Sequence, residues 1–392
     1  MKNRTMIKLG DVMTFQRGKD LTHSQMEPGR FPVVGSSGII GWHSTAFVKP
    51  PVVLIGRSGT VGRPQLYNRE IWAHNTTLYV KNFHGNHPEF CYYFLKNINL
   101  ENYANSSGVP TLNRNFIHPL KISIPDYPVQ NSIAKVLTSI DKKIELNKHM
   151  NMILEKISQS VYNYWFLQFD FPNEEGKPYK SSGGEMVYNK KLKREIPEGW
   201  IDATLFKNDL SRIISPGVEK FSSKNYLATA NVINNWIEDG TWITYECRES
   251  RANMQPVTNS VWFAKMKNSV KHLTITEQDN WMINKYILST GFVGLKSKSY
   301  ALGYIHCFVN SDFFELHKDR LSHGATQEAV NNNDLKYIKM VIPPKKILEK
   351  FNLILLPIVR KINMNIYENM KLIEIRHFLL PLLMNGQVVI DE

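Results

Sequence analysis

Two stretches of the chain place apolar residues at alternating three- and four-residue steps, the spacing of a helix that packs along one stripe against another helix. The first stripe is Ile133, Leu137, Ile140, Ile144, Asn147, Asn151, Leu154 and Val161. The second is Phe351, Leu355, Ile358, Ile362, Asn365, Asn369, Leu372 and Leu379. Each predicts a helix of roughly 35–40 residues, about 55 Å long at 1.5 Å per residue. Neither is stable with its stripe exposed, so the pattern predicts an antiparallel pair. The seam asparagines then either meet across the pair and fix its register or sit at the seam edge facing water. Pro357 stands where the first helix has Ser139, which predicts a kink or a late start in the second helix.

These stretches belong to an internal repeat. Displacing the sequence by 218 residues lays 113–157 on 331–375 without a gap, with 14 of 45 positions identical. The matches include Asn113/Asn331, Lys121/Lys339, Ile124/Ile342, Pro125/Pro343, Asn147/Asn365 and Asn151/Asn369. Amphipathicity alone does not call for paired asparagines or for an Ile-Pro entry to each helix. In both copies a short apolar strand (120–124; 338–342) ends in proline and a long helical pattern follows.

The chain ahead of each helix is rich in short apolar runs and turns. Strands are expected at 52–55, 77–80, 226–232, 260–263 and 304–309, with short helices at 88–97 and 278–289. The expected class is α+β: two α/β globules, each with an antiparallel or mixed sheet, joined by two long antiparallel coiled-coil helices in a pseudo-twofold repeat. The boundaries read as 1–125 for the first globule, 126–170 for the first helix and 171–199 for a linker. The second globule is 200–343, the second helix 344–385 and the tail 386–392. The linker, PNEEGKPYKSSGG followed by KKLKREIPEGW, has the composition of a mobile or surface-bound connection.

Charge adds a direction. The formal net charge is +13, and residues 1–126 carry 14 Lys+Arg against 7 Asp+Glu. That excess points to a polyanion, nucleic acid before a membrane surface. Three widely spaced cysteines, Cys91, Cys247 and Cys307, fit neither a disulfide framework nor a zinc site. No apolar stretch approaches the length of a membrane span, and the chain reads as cytoplasmic with no membrane partner.

Candidate contact residues lie in the glycine-rich and basic loops. GSSGIIG contributes Ser36 and Ser37; GRSGTVGR contributes Arg57, Ser58, Thr60 and Arg63; His74 and Asn75 lie in a nearby turn. Thr111, Asn113 and Arg114 come from SSGVPTLNRN. In the second globule the candidates are Lys220, Lys224, Arg248, Arg251, Lys296 and Lys298, with His323, Thr326 and Gln327 from SHGATQEAVNNN. Arg reads guanine bidentately, whereas Lys and hydroxyls more often hold phosphate. The same glycines also suit plain hairpin turns, and the polar loops also suit caps on a final strand. No Walker loop, methyltransferase tetrapeptide, His-Glu-x-x-His or nuclease carboxylate–Lys cluster is present, so no catalytic residue and no metal ligand is nominated.

With these elements in place the chain resembles the specificity subunit of type I restriction–modification enzymes. The resemblance covers essentially the whole chain. GRSGTVGR, SSGVPTLNRNFIHPLKISIP, PVQNSIAKVLTSIDKKIELN and IPEGW carry it, with HGATQEAVNNNDLKYIKMVIPP in the second half. It implies two target-recognition domains, each reading one half of a bipartite site on double-stranded DNA. The helices would space the domains and dock two methyltransferase subunits. It implies no catalysis here: adenine N6 methylation with S-adenosylmethionine, and cleavage with ATP and Mg²⁺, would belong to those subunits and to two restriction/translocase subunits. The second helix opens PPKKILEKF, without a match for Gln130, a departure that bears on the symmetry of the docking surfaces. A protein-binding scaffold with a coiled-coil spacer and an enzyme with an unrecognised site remain the competing readings.

Overall fold

A computed structural model describes residues 4–105, 110–238, 240–325, 327–388 and 390. The chain divides into two units: residues 1–144 with 371–392, and residues 145–370. The two long helices, Tyr127–Tyr162 and Lys345–Met384, each contribute to both units.

The first unit is built on an antiparallel four-stranded sheet in the order Thr14–Arg17, Thr77–Asn82, Val52–Gly56, Pro64–Tyr67. Its central strand, VVLIG, is buried throughout, which is why it reads as an unbroken apolar run rather than an alternation. Helix Pro88–Asn97 starts with proline at its first turn and turns Phe90, Cys91, Tyr93, Phe94 and Leu95 into the core. A smaller mixed sheet pairs Phe31–Gly35 antiparallel to Gly38–His43 and parallel to Trp72–Ala73. Arg4–Lys8 pairs with Lys121–Pro125, the strand that leads into the first long helix. Ile133 and Leu137 of that helix, and Leu383 and Met384 of the other, join the same core. Arg376 forms an ion pair with Asp141, which also accepts the Tyr93 hydroxyl proton at 2.7 Å.

The second unit repeats this plan beyond the stretch where the sequences match. Its antiparallel sheet runs Ser211–Ile213, Phe292–Ser297, Ser260–Ala264, His272–Ile275, the same order as in the first unit. Its mixed sheet again has a parallel pair, Lys224–Leu227 with Tyr286–Ser289. Ile201–Thr204 pairs with Lys339–Ile342 ahead of the second long helix. Helix Leu302–Val309 stands where Pro88–Asn97 stands in the first unit, and helix Asp312–Leu321 is additional.

Several expectations change. Tyr304–Val309 is helix, not strand; all eight residues of Leu302–Val309 are buried, and periodicity cannot separate a fully buried helix from a buried strand. The helix expected at 278–289 is only Asn280–Lys285, and Tyr286–Ser289 continues as a sheet strand buried on both faces. The strand expected at 226–232 is Lys224–Leu227, followed by a short 3-10 turn. Residues 171–199 hold the hairpin Met186–Asn189/Arg194–Pro197, anchored by buried Phe171 and Ile196 and, just outside, Phe169 and Trp200. The Asp170 carboxylate accepts the backbone N–H and hydroxyl of Ser181, both at 2.7 Å. The first long helix ends at Tyr162 in a π-helical turn, Asn163–Leu167. The second starts at Lys345 and continues through Pro357, whose solvent-facing position lets water take the carbonyl that the missing N–H leaves open.

Along the helix pair, Ile133, Leu137, Ile144, Phe351, Leu355 and Ile362 are buried, and Ile140, Leu154, Ile358 and Leu372 are half-buried. The asparagines meet. Within the second unit, Asn147 donates to Asn369 Oδ1 at 2.8 Å and to Glu368 at 2.8 Å. Asn365 donates to Asn151 Oδ1 at 2.7 Å, and Asn151 to the Ile362 carbonyl at 3.2 Å.

A buried polar cluster in the second unit makes a prediction about acid stability. Burial pushes His306 down to about 4, with His272 adding to the shift; its Nδ1 lies 2.8 Å from the Thr274 hydroxyl. Burial pushes Glu155 up to about 7, partly offset by the hydrogen bond from Asn235. Between about pH 4 and 6.5 the unfolded chain holds the proton that folded His306 lacks. Its stabilisation is therefore present above pH 6.5 and lost on acidification. Glu155 has the opposite sign: its contribution is present below pH 4.5 and lost as pH rises toward 7. Glu315 beside them is held low by His272 and Lys318 against its burial, and acts below pH 4.5. The His306 and Glu155 slopes oppose each other between pH 4.5 and 6.5. Urea unfolding of Glu155→Gln should lose stability across that window more steeply than the parent chain; parallel curves would refute the compensation.

Candidate nucleic-acid interface

In the first unit the strand Val52–Gly56 delivers Arg57 at its end. The Arg57 N–H donates to the Thr76 carbonyl at 2.7 Å, and its carbonyl accepts the Leu112 N–H at 2.8 Å. Gly56 closes the loop by accepting the Gly62 N–H at 2.8 Å, and a Cβ on Gly56 would lie 1.8 Å from the Thr60 carbonyl oxygen. Gly59 and Gly62 hold φ values of +82° and +73°, which favour glycine. The β-turn after Phe31–Gly35 places Ser36 against this loop, 3.1 Å from where a Gly59 Cβ would stand, with Ser37 exposed beside it. Ser58 bridges to Thr111, and His74 Nδ1 lies 3.0 Å from the Thr76 hydroxyl, next to half-buried Asn75.

Thus Ser36, Ser37, Arg57, Ser58, Thr60, His74, Asn75 and Thr111 share one end of the sheet. Three other candidates make contacts of their own. Arg63 leaves the loop toward helix Pro88–Asn97, where its charge acts on Tyr92 and Lys96. Asn113 caps the helical turn Arg114–Ile117 by accepting the Asn115 N–H at 3.0 Å. Arg114 donates to the Phe15 carbonyl at 3.4 Å. Both are holding local structure.

The second unit builds the same loop end with different residues. The Lys265 N–H donates to the Gly291 carbonyl at 2.9 Å, and the Lys265 carbonyl accepts the Val330 N–H at 3.0 Å. These bonds repeat those of Arg57 with Thr76 and Leu112. Met266 bridges to Ala329 as Ser58 does to Thr111, and His323 to Ala329 as Asn105 does to Thr111. Lys265, Lys267 and Lys271 of this loop were absent from the candidates drawn from sequence. The Lys271 ammonium donates to the Thr229 carbonyl, and Lys267 pairs with Glu328 at 2.7 Å. The cluster of lysines right after a buried apolar run, SVWFAKMKNSVK, was the available signal.

Of the residues nominated by sequence, His323 and Gln327 are exposed at this end, and the Arg251 carbonyl accepts the Thr290 N–H beside it at 2.8 Å. Thr326 lies outside the described residues. Lys296 and Lys298 fall at the opposite end of the sheet, since Lys296 pairs with Ser260 while Phe292 pairs with Ala264 near the loop. The Lys296 ammonium is tied to Thr258, and burial lowers its pKa. Lys224 begins its strand far from Thr229 and donates to the Ile283 carbonyl at 2.8 Å. Arg248 folds over Tyr245 at 3.9 Å and donates to its carbonyl at 2.6 Å. Lys220 is exposed in the segment before Lys224–Leu227. Charge alone selected these residues, and the side chains of three of them, Lys224, Arg248 and Lys296, donate to backbone carbonyls.

Among the described residues no helix is long and apolar enough to cross a membrane, and no group of three or more His, Cys, Asp or Glu could hold a metal ion.

Comparison with known proteins bears on this twofold arrangement. Residues 1–156 match the type I restriction modification DNA specificity domain. The type I restriction enzyme MjaIX specificity subunit of Methanocaldococcus jannaschii is 27% identical over 322 residues, covering 78% of this chain and 70% of that protein. The HindI specificity subunit of Haemophilus influenzae is 24% identical over 356 residues, covering 77% of each. The crystal structure of a type I restriction–modification system S subunit from M. genitalium has the same fold, with a TM-score of 0.61 at 15% identity over 100% of this chain and 97% of the other. Residues 1–156 thus match a type I restriction modification DNA specificity domain, and over most of its length the chain is similar to specificity subunits of type I restriction–modification systems.

Proposed function

We propose that this chain selects the DNA sequence on which a type I complex acts, each unit reading one half of a bipartite, asymmetric site. The observation that carries the reading is the doubled loop end: one backbone hydrogen-bond scheme presents Arg57 in one unit and Lys265 in the other. A scaffold repeated with different side chains suits two half-sites of different sequence. The helices Tyr127–Tyr162 and Lys345–Met384 set the separation of the half-sites and dock two methyltransferase subunits. Exposed Leu353, Met364 and Phe378 on the second helix are apolar surface for such docking. The chain itself does no catalysis. S-adenosylmethionine is held by the methyltransferase subunits, ATP and Mg²⁺ by restriction/translocase subunits, and the complex works in the cytoplasm.

The test is co-expression with the modification subunit, followed by mapping of methylated adenines across host DNA. A single bipartite motif that vanishes when this chain is deleted supports the proposal; methylation unchanged by the deletion removes it. Within that complex, Arg57→Ala should weaken binding to the mapped site by about 1–3 kcal/mol if the guanidinium reads a base. A phosphate contact would instead weaken all sequences alike and reduce the salt dependence of binding by about one counterion. Unchanged affinity would return the loop to a plain turn.

A further inference from the structure

The tip of the second unit's loop end carries an ion pair with no counterpart among the described residues of the first. Lys267 and Glu328 lie side by side, Nζ to Oε2 at 2.7 Å, with side chains 37% and 47% exposed. Backbone geometry sets the pairing, because the Lys267 N–H donates to the Glu328 carbonyl at 3.0 Å and Met266 bridges to Ala329. The loop is held from three further directions. Lys265 is bonded to Gly291 and to Val330, and the Asn268 N–H donates to the Asp319 carboxylate at 3.1 Å. In the first unit the segment that bridges to the loop is Pro110–Thr111–Leu112, which offers no carboxylate. A carboxylate at a DNA-facing tip opposes phosphate, so a purely electrostatic role does not account for Glu328. As a donor and an acceptor held together, the pair matches the major-groove edge of one base pair. Guanine presents the acceptors N7 and O6, and its cytosine presents the N4 amino donor.

We propose that Lys267 and Glu328 together read one G·C pair in the half-site of the second unit, Lys267 donating to guanine and Glu328 accepting from the cytosine amino group. The inference rests on the reading of the chain as a DNA specificity subunit. Both side chains are partly exposed and neither belongs to the core, so their replacement leaves the fold intact.

The experiment uses the complete methyltransferase complex carrying the parent chain, Glu328→Gln or Lys267→Ala. Methylated adenines are mapped in cells, and binding is measured on duplexes of the parent motif with each G·C pair replaced in turn by A·T. The parent complex should lose binding roughly tenfold or more on replacement of one particular G·C pair. Both variants should lose that discrimination at the same position, with the rest of the motif unchanged. Three outcomes overturn the inference while leaving the specificity role standing: a parent motif whose G·C positions all survive in both variants, relaxation at different positions in the two, or a uniform change in affinity for every duplex. Absence of any motif dependent on the chain removes the underlying reading instead.

Discussion

Replacing Phe351 by alanine should lower the stability of the second unit by about 3–5 kcal/mol, the range for deleting a buried aromatic ring. Phe351 is fully buried in the first turns of the second long helix. Its ring lies 4.7 Å from Phe166 and 5.3 Å from Trp165, both in the π-helical turn that ends the first long helix, and 6.5 Å from Tyr162. Phe166 in turn meets Tyr304 at 4.8 Å and Trp200 at 6.0 Å. Phe351 therefore joins, through Phe166, a cluster that ties both helices to the helix Leu302–Val309 and to the chain entering the second globule. Tryptophan emission reports the transition directly, because Trp165 and Trp200 sit inside the cluster. Phe351→Leu, which keeps most of the volume, should lose far less. A urea midpoint in Phe351→Ala close to that of the parent would mean that the surroundings collapse into the space without penalty.

The asparagine seam predicts a different signature. Asn151→Leu should destabilise by about 1–3 kcal/mol, because it leaves the amide of Asn365 buried without its acceptor. Among the described residues the Asn365 Oδ1 has no hydrogen-bond partner, so nothing there compensates. Adding Asn365→Leu should recover most of the loss, since two apolar groups of similar shape can replace a buried polar pair at little net change. A double-mutant cycle reads the coupling, and additive losses would mean that the two amides contribute independently. Recovery would assign these residues to register rather than to stability, since a leucine seam accepts a one-heptad slip that paired amides reject.

The parts of this architecture that could be read from sequence are those with a period. The helices showed through their seam, and the repeated Lys-x-x-Ile-Pro entry located the strands that precede them. The first loop end was legible because its geometry needs glycine, as the crowding at Gly56 shows. The second was not, because Ala264 and Lys265 make the same turn without glycine and only the shared sheet order reveals the correspondence. Helix Leu302–Val309 was read as strand because a segment buried on every side has no polar face to betray its period. Charge in the sequence does not show where an ammonium points: Lys224 and Lys296 are half-buried and each donates to a backbone carbonyl.

The second unit is one uninterrupted segment, residues 145–370, while the first is assembled from the chain on both sides of it. In genetic terms the second unit is a cassette. A double crossover near codons 145 and 370 would transplant a body complete with both asparagine pairs and the Phe351 cluster, and would leave the Asp141–Arg376 pair with the recipient. Crossovers at 200 and 343, at the edges of the globule alone, would instead join a donor's Tyr304 to a recipient's Phe166 and Phe351 and ask unrelated aromatic surfaces to fit. If each unit reads its own half-site, as proposed, new specificities should arise most readily by exchange inside the helices, where the chain crosses between units twice and the heptad grammar on either side is the same.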